Sequence, residues 1–319
     1  MIHRFVSISS SATMIALALH LLAASARAQT MDPRTLTATV ESAGAAAPLS
    51  GMPARELSFE SARTMALGSG SRATSVGTSA ALSNPANLTL QRLYHVESLL
   101  GYSSEAGQWS IGGCIADSIT NKIAAGLSFR GLYGGSDPAS SGWEGRLALA
   151  LPVSEALSIG LSGRYLRFDP GSQADGAAGT AIRGFTMDAA IRISASPQLQ
   201  IAALAYNFID LESSLVPVLL GGGLGLAPTE GLSIGADFLV DTTTFAEPSF
   251  VVGGGVEYLA GGSVPLRIGY RHDTGRRLGQ ISAAIGFVDQ RMGFDVALRR
   301  DVLGGSATEL LLAARYHVQ

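Results

Sequence analysis

The sequence predicts an all-β fold, a transmembrane antiparallel β-barrel of about fourteen strands. Three features support this prediction: an export signal, an apolar composition without a helical membrane span, and alternation of apolar residues from Leu93 onwards. Mean hydropathy is +0.29, and charged residues are only 15% of the chain, against ~25% in soluble domains. After the signal, no uncharged apolar run reaches about 18 residues, so the apolar residues are dispersed along strands.

The N-terminus has the three parts of a secretory signal peptide. A short basic start precedes the apolar stretch Met14–Ala24, and residues 26–28 read Ala-Arg-Ala. We predict cleavage after Ala28, which removes residues 1–28. A membrane anchor is the alternative, but about 11 apolar residues are too few for the ~20 of a spanning helix.

The mature chain divides into three zones. Residues 29–56 are rich in Ala, Ser, Thr, Pro and Gly and are predicted to be a flexible leader. Residues 57–92 contain a helical candidate at Ser58–Leu67, then a run of small residues, then Ser-Asn-Pro-Ala-Asn. Residues 93–319 are the predicted barrel.

Alternation in the third zone separates an apolar face from a polar or small one. In the segment 232–241, Leu232, Ile234, Ala236, Phe238 and Val240 oppose Ser233, Gly235, Asp237 and Asp241. Strand side chains point alternately to opposite faces, which a helix cannot reproduce. Each segment of this kind is near the 9–11 residues of a tilted membrane strand. The segments lie at 93–102, 107–117, 122–132, 143–152, 156–168, 184–194, 199–209, 217–227, 231–241, 249–260, 264–272, 277–288, 291–302 and 307–318.

The connections predict an orientation. Short connections follow every second segment, whereas Tyr133–Gly142 and Asp169–Arg183 are longer. Outer-membrane barrels have short periplasmic turns and longer external loops, so both termini are expected in the periplasm. Many aromatic residues lie near segment ends, as interfacial rings do.

Charged residues on the polar strand faces are predicted to point into the lumen, because unpaired charge facing hydrocarbon is costly. They form either ion pairs that stiffen the wall and hold a plug, or a selectivity filter. The candidates are Arg130, Arg146, Arg164, Asp188, Arg192, Asp237, Asp241, Arg267, Arg271, Asp295, Arg299, Glu309 and Arg315.

The sequence offers no convincing catalytic or metal site, and we expect neither an enzyme nor a cofactor. Gly231–Gly235 matches Gly-x-Ser-x-Gly, but it lies inside an alternating strand and not at a strand-to-helix turn. His272 and His317 have no metal-ligand spacing. Cys114, the single cysteine, lies in an apolar strand and is expected to be an inert buried thiol. The arginines are dispersed, so a nucleic-acid partner is not expected.

The segment Ala62–Leu93 resembles the entry segment of the FadL-like superfamily of long-chain fatty acid transporters, which includes PorV-like barrels. An Ala/Arg start and a run of small residues precede Asn84-Pro85-Ala86 and the apolar Leu88. The resemblance implies a barrel of fourteen strands and a hatch at residues 57–92. Pro85 fixes one backbone dihedral and biases Asn84 toward extended geometry. An ordinary turn before the first strand is the alternative.

Two features depart from the family's pattern: Thr78 stands near a place that is often acidic, and the external loops lack long apolar excursions. The last strand also lacks the terminal aromatic of many outer-membrane barrels. The resemblance implies passive uptake of hydrophobic, fatty-acid-like molecules across the outer membrane of a Gram-negative-type bacterium. A non-transporting scaffold of an envelope or secretion complex is the first alternative, and a soluble exported β protein the second. The expected partners are outer-membrane lipid, a hydrophobic ligand and, for a scaffold, an envelope protein.

Overall fold

The computed structural model describes residues 59–104, 107–134, 140–169 and 181–318. The predicted signal peptide and flexible leader lie outside these residues. No helix in the described ranges has the length and apolarity needed to cross a membrane.

In the described residues, two short helices and a 3-10 helix precede fourteen strands. The helices are α1 (Ala62–Ala66), α2 (Gly77–Ser83) and the 3-10 helix Pro85–Thr89. The strands are β1 (Tyr94–Ser103), β2 (Gln108–Asp117), β3 (Ala124–Gly134), β4 (Ser141–Pro152), β5 (Leu157–Asp169), β6 (Ile182–Ser194), β7 (Leu199–Tyr206), β8 (Leu219–Thr229), β9 (Leu232–Asp241), β10 (Ser249–Ala260), β11 (Val264–Asp273), β12 (Leu278–Val288), β13 (Met292–Leu303) and β14 (Thr308–His317).

The strands form one closed antiparallel barrel, which confirms the predicted fold class. Each strand pairs with the next, and β14 pairs with β1 to close the sheet. Closure leaves no sheet edge unpaired, which a wall in hydrocarbon requires. All fourteen predicted segments coincide with strands to within a few residues.

The barrel's two sides have opposite character. Large apolar side chains lie exposed on the outside, for example Leu127 (57%), Leu161 (52%) and Ile268 (65%). Charged and hydroxyl side chains alternate with them and are buried on the inside, such as Asp237 and Arg267. This inversion of a soluble protein's pattern is typical of a barrel whose outer surface meets lipid.

The connections at the end where β1 begins and β14 ends are short, from two to six residues. At the opposite end, residues 170–181 and 207–218 are the longest connections. The length of the connection 207–218 was underestimated, because the predicted strands 199–209 and 217–227 leave a shorter gap between them. Strand β7 ends at Tyr206 because Asn207 adopts a positive φ of 52° and turns the chain inward.

The helical candidate Ser58–Leu67 is shorter in the structure. Helix α1 begins after Ser61, whose hydroxyl accepts a hydrogen bond from the Thr64 N–H at 3.1 Å. It ends before Gly68 and Ser69, both of which adopt positive φ. The left-handed conformation at these two residues stops the helix after one turn and directs the chain along the wall.

Candidate functional site: the plugged lumen

The segment that precedes β1 lies inside the barrel. From Phe59 to Leu90 almost every residue is buried. Helix α1 packs against β11–β14, α2 against β1–β4, and the 3-10 helix against β3–β6. The described part of this segment, which we call the hatch segment (residues 57–92), therefore follows the inner wall around most of its circumference.

Inward-facing glycines let the hatch segment approach the wall closely. At eight of them, a Cβ atom would come within 3.0 Å of hatch-segment atoms. We call this set the glycine belt: Gly112, Gly126, Gly160, Gly225, Gly235, Gly253, Gly255 and Gly269. Any larger residue at these positions would have to displace the hatch segment or bend the strand, because most of the opposing atoms are backbone.

The Asn84-Pro85-Ala86 motif closes a loop within the hatch segment. The Asn84 side chain accepts from the Ala86 N–H at 3.0 Å and donates to the Arg72 carbonyl at 2.6 Å. Its backbone is extended, with φ −152° and ψ 96°, as expected before proline. Asn87 donates to the same Arg72 carbonyl at 2.9 Å. The motif thus joins the two ends of residues 72–87. Sequence reasoning did not predict the contribution of Asn87 to this loop.

Thr78 contacts the wall at two places on strand β1. Its N–H donates to His95 Nε2 at 2.8 Å, and its hydroxyl donates to the Glu97 carboxylate. Thr78, His95 and Glu97 are all buried. The acidic group that the family resemblance leads one to expect near Thr78 is supplied here by the barrel wall.

Three ion pairs fix the hatch segment to the wall. Their partners are all largely buried, with side-chain exposures of 17% or less. The distances are 2.9 Å for Arg63–Glu257, 3.1 Å for Arg72–Asp237 and 2.6 Å for Glu60–Arg299. Buried pairs of this kind contribute mainly by making separation costly, because separation leaves an unpaired charge.

The carboxyl pKa of Glu60 in the hatch segment is shifted well below its ordinary value. Burial raises the pKa of its carboxyl, but Arg299 and Arg271, with the Ser69 hydroxyl and Arg72, lower the pKa further, to about 2. Glu60 therefore stays ionised, and stays paired with Arg299, over the ordinary pH range.

A second network lies in the wall between β3 and β6. The Glu144 carboxylate is 3.9 Å from Arg130, 3.4 Å from Arg146 and 3.3 Å from Arg164. Arg146 also lies 3.6 Å from Asp188 and donates to the Leu82 carbonyl at 2.6 Å. This network therefore touches the hatch segment through a neutral backbone carbonyl.

A third network spans β10–β14. Arg267 pairs with Asp295 at 2.5 Å and also with Glu257, and Arg315 pairs with the same Asp295. Nearby, Arg299 pairs with Glu309 at 2.5 Å. Glu257 and Arg299 are shared with the hatch segment, so this network joins the plug to the wall.

The structure places all the predicted lumen charges on the inner face. Besides those in the networks, Asp241 lies 3.6 Å from Arg276 near the external end, and Arg271 lies near Glu60. Arg192 donates to Ser158 at 2.8 Å and to Gln200 at 3.2 Å. Sequence reasoning missed Glu97, Glu144 and Glu257, although Glu144 has the same strand parity as the predicted inward residue Arg146. It also missed the charged residues of the hatch segment, which have no strand parity.

The interior between plug and wall is narrow. A cavity of about 40 Å³ separates the hatch segment from β4–β7. Polar and charged groups of Glu60, Arg72, Arg146, Arg164 and Asp188 line it. A space of this size and polarity suits one or a few water molecules and excludes an apolar ligand.

The external mouth is different in character. Inward-facing apolar side chains of β3, β5 and β6 pack against the connection 207–218. We call this set the mouth cluster: Leu132, Leu166, Phe168, Ile182, Leu215 and Val216, with Leu211 packed against it. Arg164 holds the connection by donating to the side-chain amide oxygen Oδ1 of Asn207, and the Asn207 side-chain Nδ2 donates to the Pro217 carbonyl at 2.7 Å.

Comparison with known proteins supports the fold. No protein-family model and no curated protein matches the sequence. The toluene transporter TbuX of Ralstonia pickettii has a TM-score of 0.62 at 12% identity, covering 82% of this chain and 99% of that protein. A FadL homologue of Pseudomonas aeruginosa gives 0.59 at 11%, covering 84% and 99%. The toluene transporter TodX of Pseudomonas putida gives 0.56 at 12%, covering 83% and 99%.

These likenesses confirm at the level of fold what the segment Ala62–Leu93 predicts. Their identities are too low to carry over a ligand. The closed wall has an apolar outer surface, as a wall in contact with lipid requires. The chain thus has the fold of these two toluene transporters and of the FadL homologue.

Proposed function

We propose that this barrel carries hydrophobic small molecules passively across the outer membrane. The mouth cluster carries the proposal, because it gathers apolar side chains at the external end of a lumen that also contains many charged groups. These side chains do not face lipid, and they would offer a first binding place to an apolar molecule from outside once the connection 207–218 moves aside.

The fold supports the same conclusion. TbuX and TodX are toluene transporters, and the Pseudomonas aeruginosa protein is a FadL homologue. Aromatic hydrocarbons and fatty-acid-like molecules are both within the proposed substrate class. Diffusion of either needs no nucleotide or cofactor.

Transport requires the hatch segment to move. An apolar cavity of about 150 Å³ can bind benzene, whereas the cavity between the hatch segment and β4–β7 is only about 40 Å³. We propose that residues 57–92 act as the gate and that residues 93–319 form the fixed pore. The hatch contacts are side-chain pairs and close backbone approaches, which can separate without breaking the barrel's own hydrogen bonds.

A disulfide between hatch and wall tests this gate. The Thr74 Cβ lies 3.5 Å from the Cβ position at Gly225, within the range of about 3.5–4.5 Å for disulfides. We would combine Thr74→Cys and Gly225→Cys with Cys114→Ala, and measure uptake of an apolar dye into vesicles. Oxidation is expected to lower the uptake rate about tenfold or more, and reduction to restore it.

The single variants Thr74→Cys and Gly225→Cys, also with Cys114→Ala, are the matched controls. Their uptake should not respond to oxidation. Equal dye uptake by the oxidised and reduced double variant would contradict the gate.

A non-transporting scaffold of an envelope complex is the second candidate. The small polar cavity favours it, because a permanently filled lumen stiffens a barrel without letting molecules pass. In that case uptake stays at the level of empty vesicles in both redox states, and an envelope protein co-purifies with the barrel in stable amounts.

A further inference from the structure

Two arginines stand side by side on the outer surface near the external end. Arg167 of β5 and Arg183 of β6 are directly opposite in the strand register, and both are exposed. Arg183 donates from Nε to the Tyr165 hydroxyl at 3.1 Å. Within the described ranges, neither arginine forms an ion pair. Like charges directly opposite on adjacent strands repel each other, so this arrangement calls for an anion.

Aromatic rings lie beside and below the pair: Trp143 is the register partner of Arg167, whereas Tyr165 and Phe185 lie two residues farther from the external end. Trp143 stacks near Phe129 and Tyr165, with ring centroids 6.1 Å and 5.4 Å apart. Phe185 is the register partner of Tyr165 and is also exposed. Outward-facing aromatic rings mark the boundary between hydrocarbon and headgroups.

The arginines therefore stand at headgroup level. Arg167 follows Tyr165 by two residues toward the external end, which is about 7 Å along a strand. At that height on the outer side of the wall, the neighbouring molecules are lipids of the outer leaflet. Guanidinium groups bind phosphate through paired hydrogen bonds, and they do so better than ammonium groups.

We infer that Arg167 and Arg183 form a binding site for the phosphate of an outer-leaflet lipid headgroup. The phosphate lies between the two guanidiniums and neutralises their repulsion. Trp143 and Tyr165 pack against the less polar part of the same lipid. The site lies outside the lumen, so it is independent of the proposed transport function.

The test compares a lipid with and without its phosphates. The probes are lipid A, the same lipid after enzymatic dephosphorylation, and inorganic phosphate, each titrated against the full-length barrel in detergent. The variants are Arg167→Ala, Arg183→Ala and the double variant. Arg300→Ala is the matched control, because Arg300 also faces outward near the external end but has Ile281 and Thr308 as register partners.

The wild-type barrel should bind lipid A about tenfold more tightly than the dephosphorylated lipid, and the double variant should lose about tenfold in affinity. Arg300→Ala should stay within about twofold. Migration of the double variant as a folded barrel in a heat-modifiability gel confirms that the loss is local.

Unchanged affinity in the folded double variant would overturn the site, as would equal affinity for both lipids. If inorganic phosphate binds as tightly as lipid A, and this binding is lost in the double variant, the pair is a site for a soluble anion and the lipid assignment is wrong.

Discussion

Arg72 and Asp237 join the middle of the hatch segment to strand β9. Arg72 Nη1 lies 3.1 Å from Asp237 Oδ2, and the Arg72 backbone N–H donates to the same oxygen at 3.0 Å. Arg72 Nε also donates to the Tyr206 hydroxyl at 2.9 Å. Arg72 therefore binds β9 through both its backbone N–H and its side chain, and it binds β7 through its side chain.

Loss of the carboxylate at Asp237 should release this contact. Asp237→Asn leaves the Arg72 guanidinium without its counter-charge in a buried place, at an expected cost of about 3–5 kcal/mol. The free energy of unfolding in detergent, from urea titration, measures it. Glu230→Gln in the exposed β8–β9 turn is the control. A cost below about 1 kcal/mol would show that the pair does not hold the plug.

A larger residue in the glycine belt should displace the hatch segment. A Cβ at Gly160 would collide with the backbone of Pro85 and Ala86, whereas a Cβ at Gly145 of β4 meets nothing within 4 Å. Gly160→Val is therefore expected to raise vesicle permeability to small dyes, and Gly145→Val to leave it unchanged. Equal permeability of the two variants would contradict a tightly packed plug.

Acid should loosen the plug through Glu60. The pKa of Glu60 is lowered from 4.5 to about 2 in the folded protein. A lowered carboxyl pKa stabilises the folded form above the unfolded pKa, and this contribution is lost as pH falls through the folded value. Susceptibility of the hatch segment to protease should therefore rise between pH 4.5 and pH 2, measured with an acid-active protease.

Glu60→Gln is the control for this pH dependence. It should show raised protease susceptibility at pH 7, because Arg299 loses a partner at 2.6 Å. It should also lack the component between pH 4.5 and pH 2. A pH profile identical to that of the wild type would assign the acid response to another group.

The mouth cluster should hold the connection 207–218 over the external opening. Phe168 is only 2% exposed, and Val216 is fully buried. Phe168→Ala removes a buried ring, at an expected cost of about 3–5 kcal/mol, and should make the connection more susceptible to external protease. Phe208→Ala changes a 44% exposed ring in the same connection and should have little effect. Similar cleavage of both variants would contradict this role.

Strand positions and the fold class could be read from the sequence. Alternation such as Leu232–Asp241 is a local property, because strand geometry turns every second side chain to the same face. The same parity gives the inward direction of Asp237 and Arg267. It also gives the inward direction of Glu144 and Glu257, which sequence reasoning missed. Partner choice is not local, because ion pairs such as Arg63–Glu257 join residues 194 positions apart.

The sequence by itself therefore determined a closed, lipid-facing wall, because the alternation in each strand matches an apolar outer face and a polar inner face. It also determined the turn at Asn84 and Pro85 within the hatch segment, because Pro85 fixes its own backbone dihedral and Asn84 caps the turn. Only the tertiary structure decided which glycines meet the plug, which acid pairs with which arginine, and that the connection 207–218 turns inward. Those outcomes depend on closing the barrel, which brings distant strands around one narrow lumen.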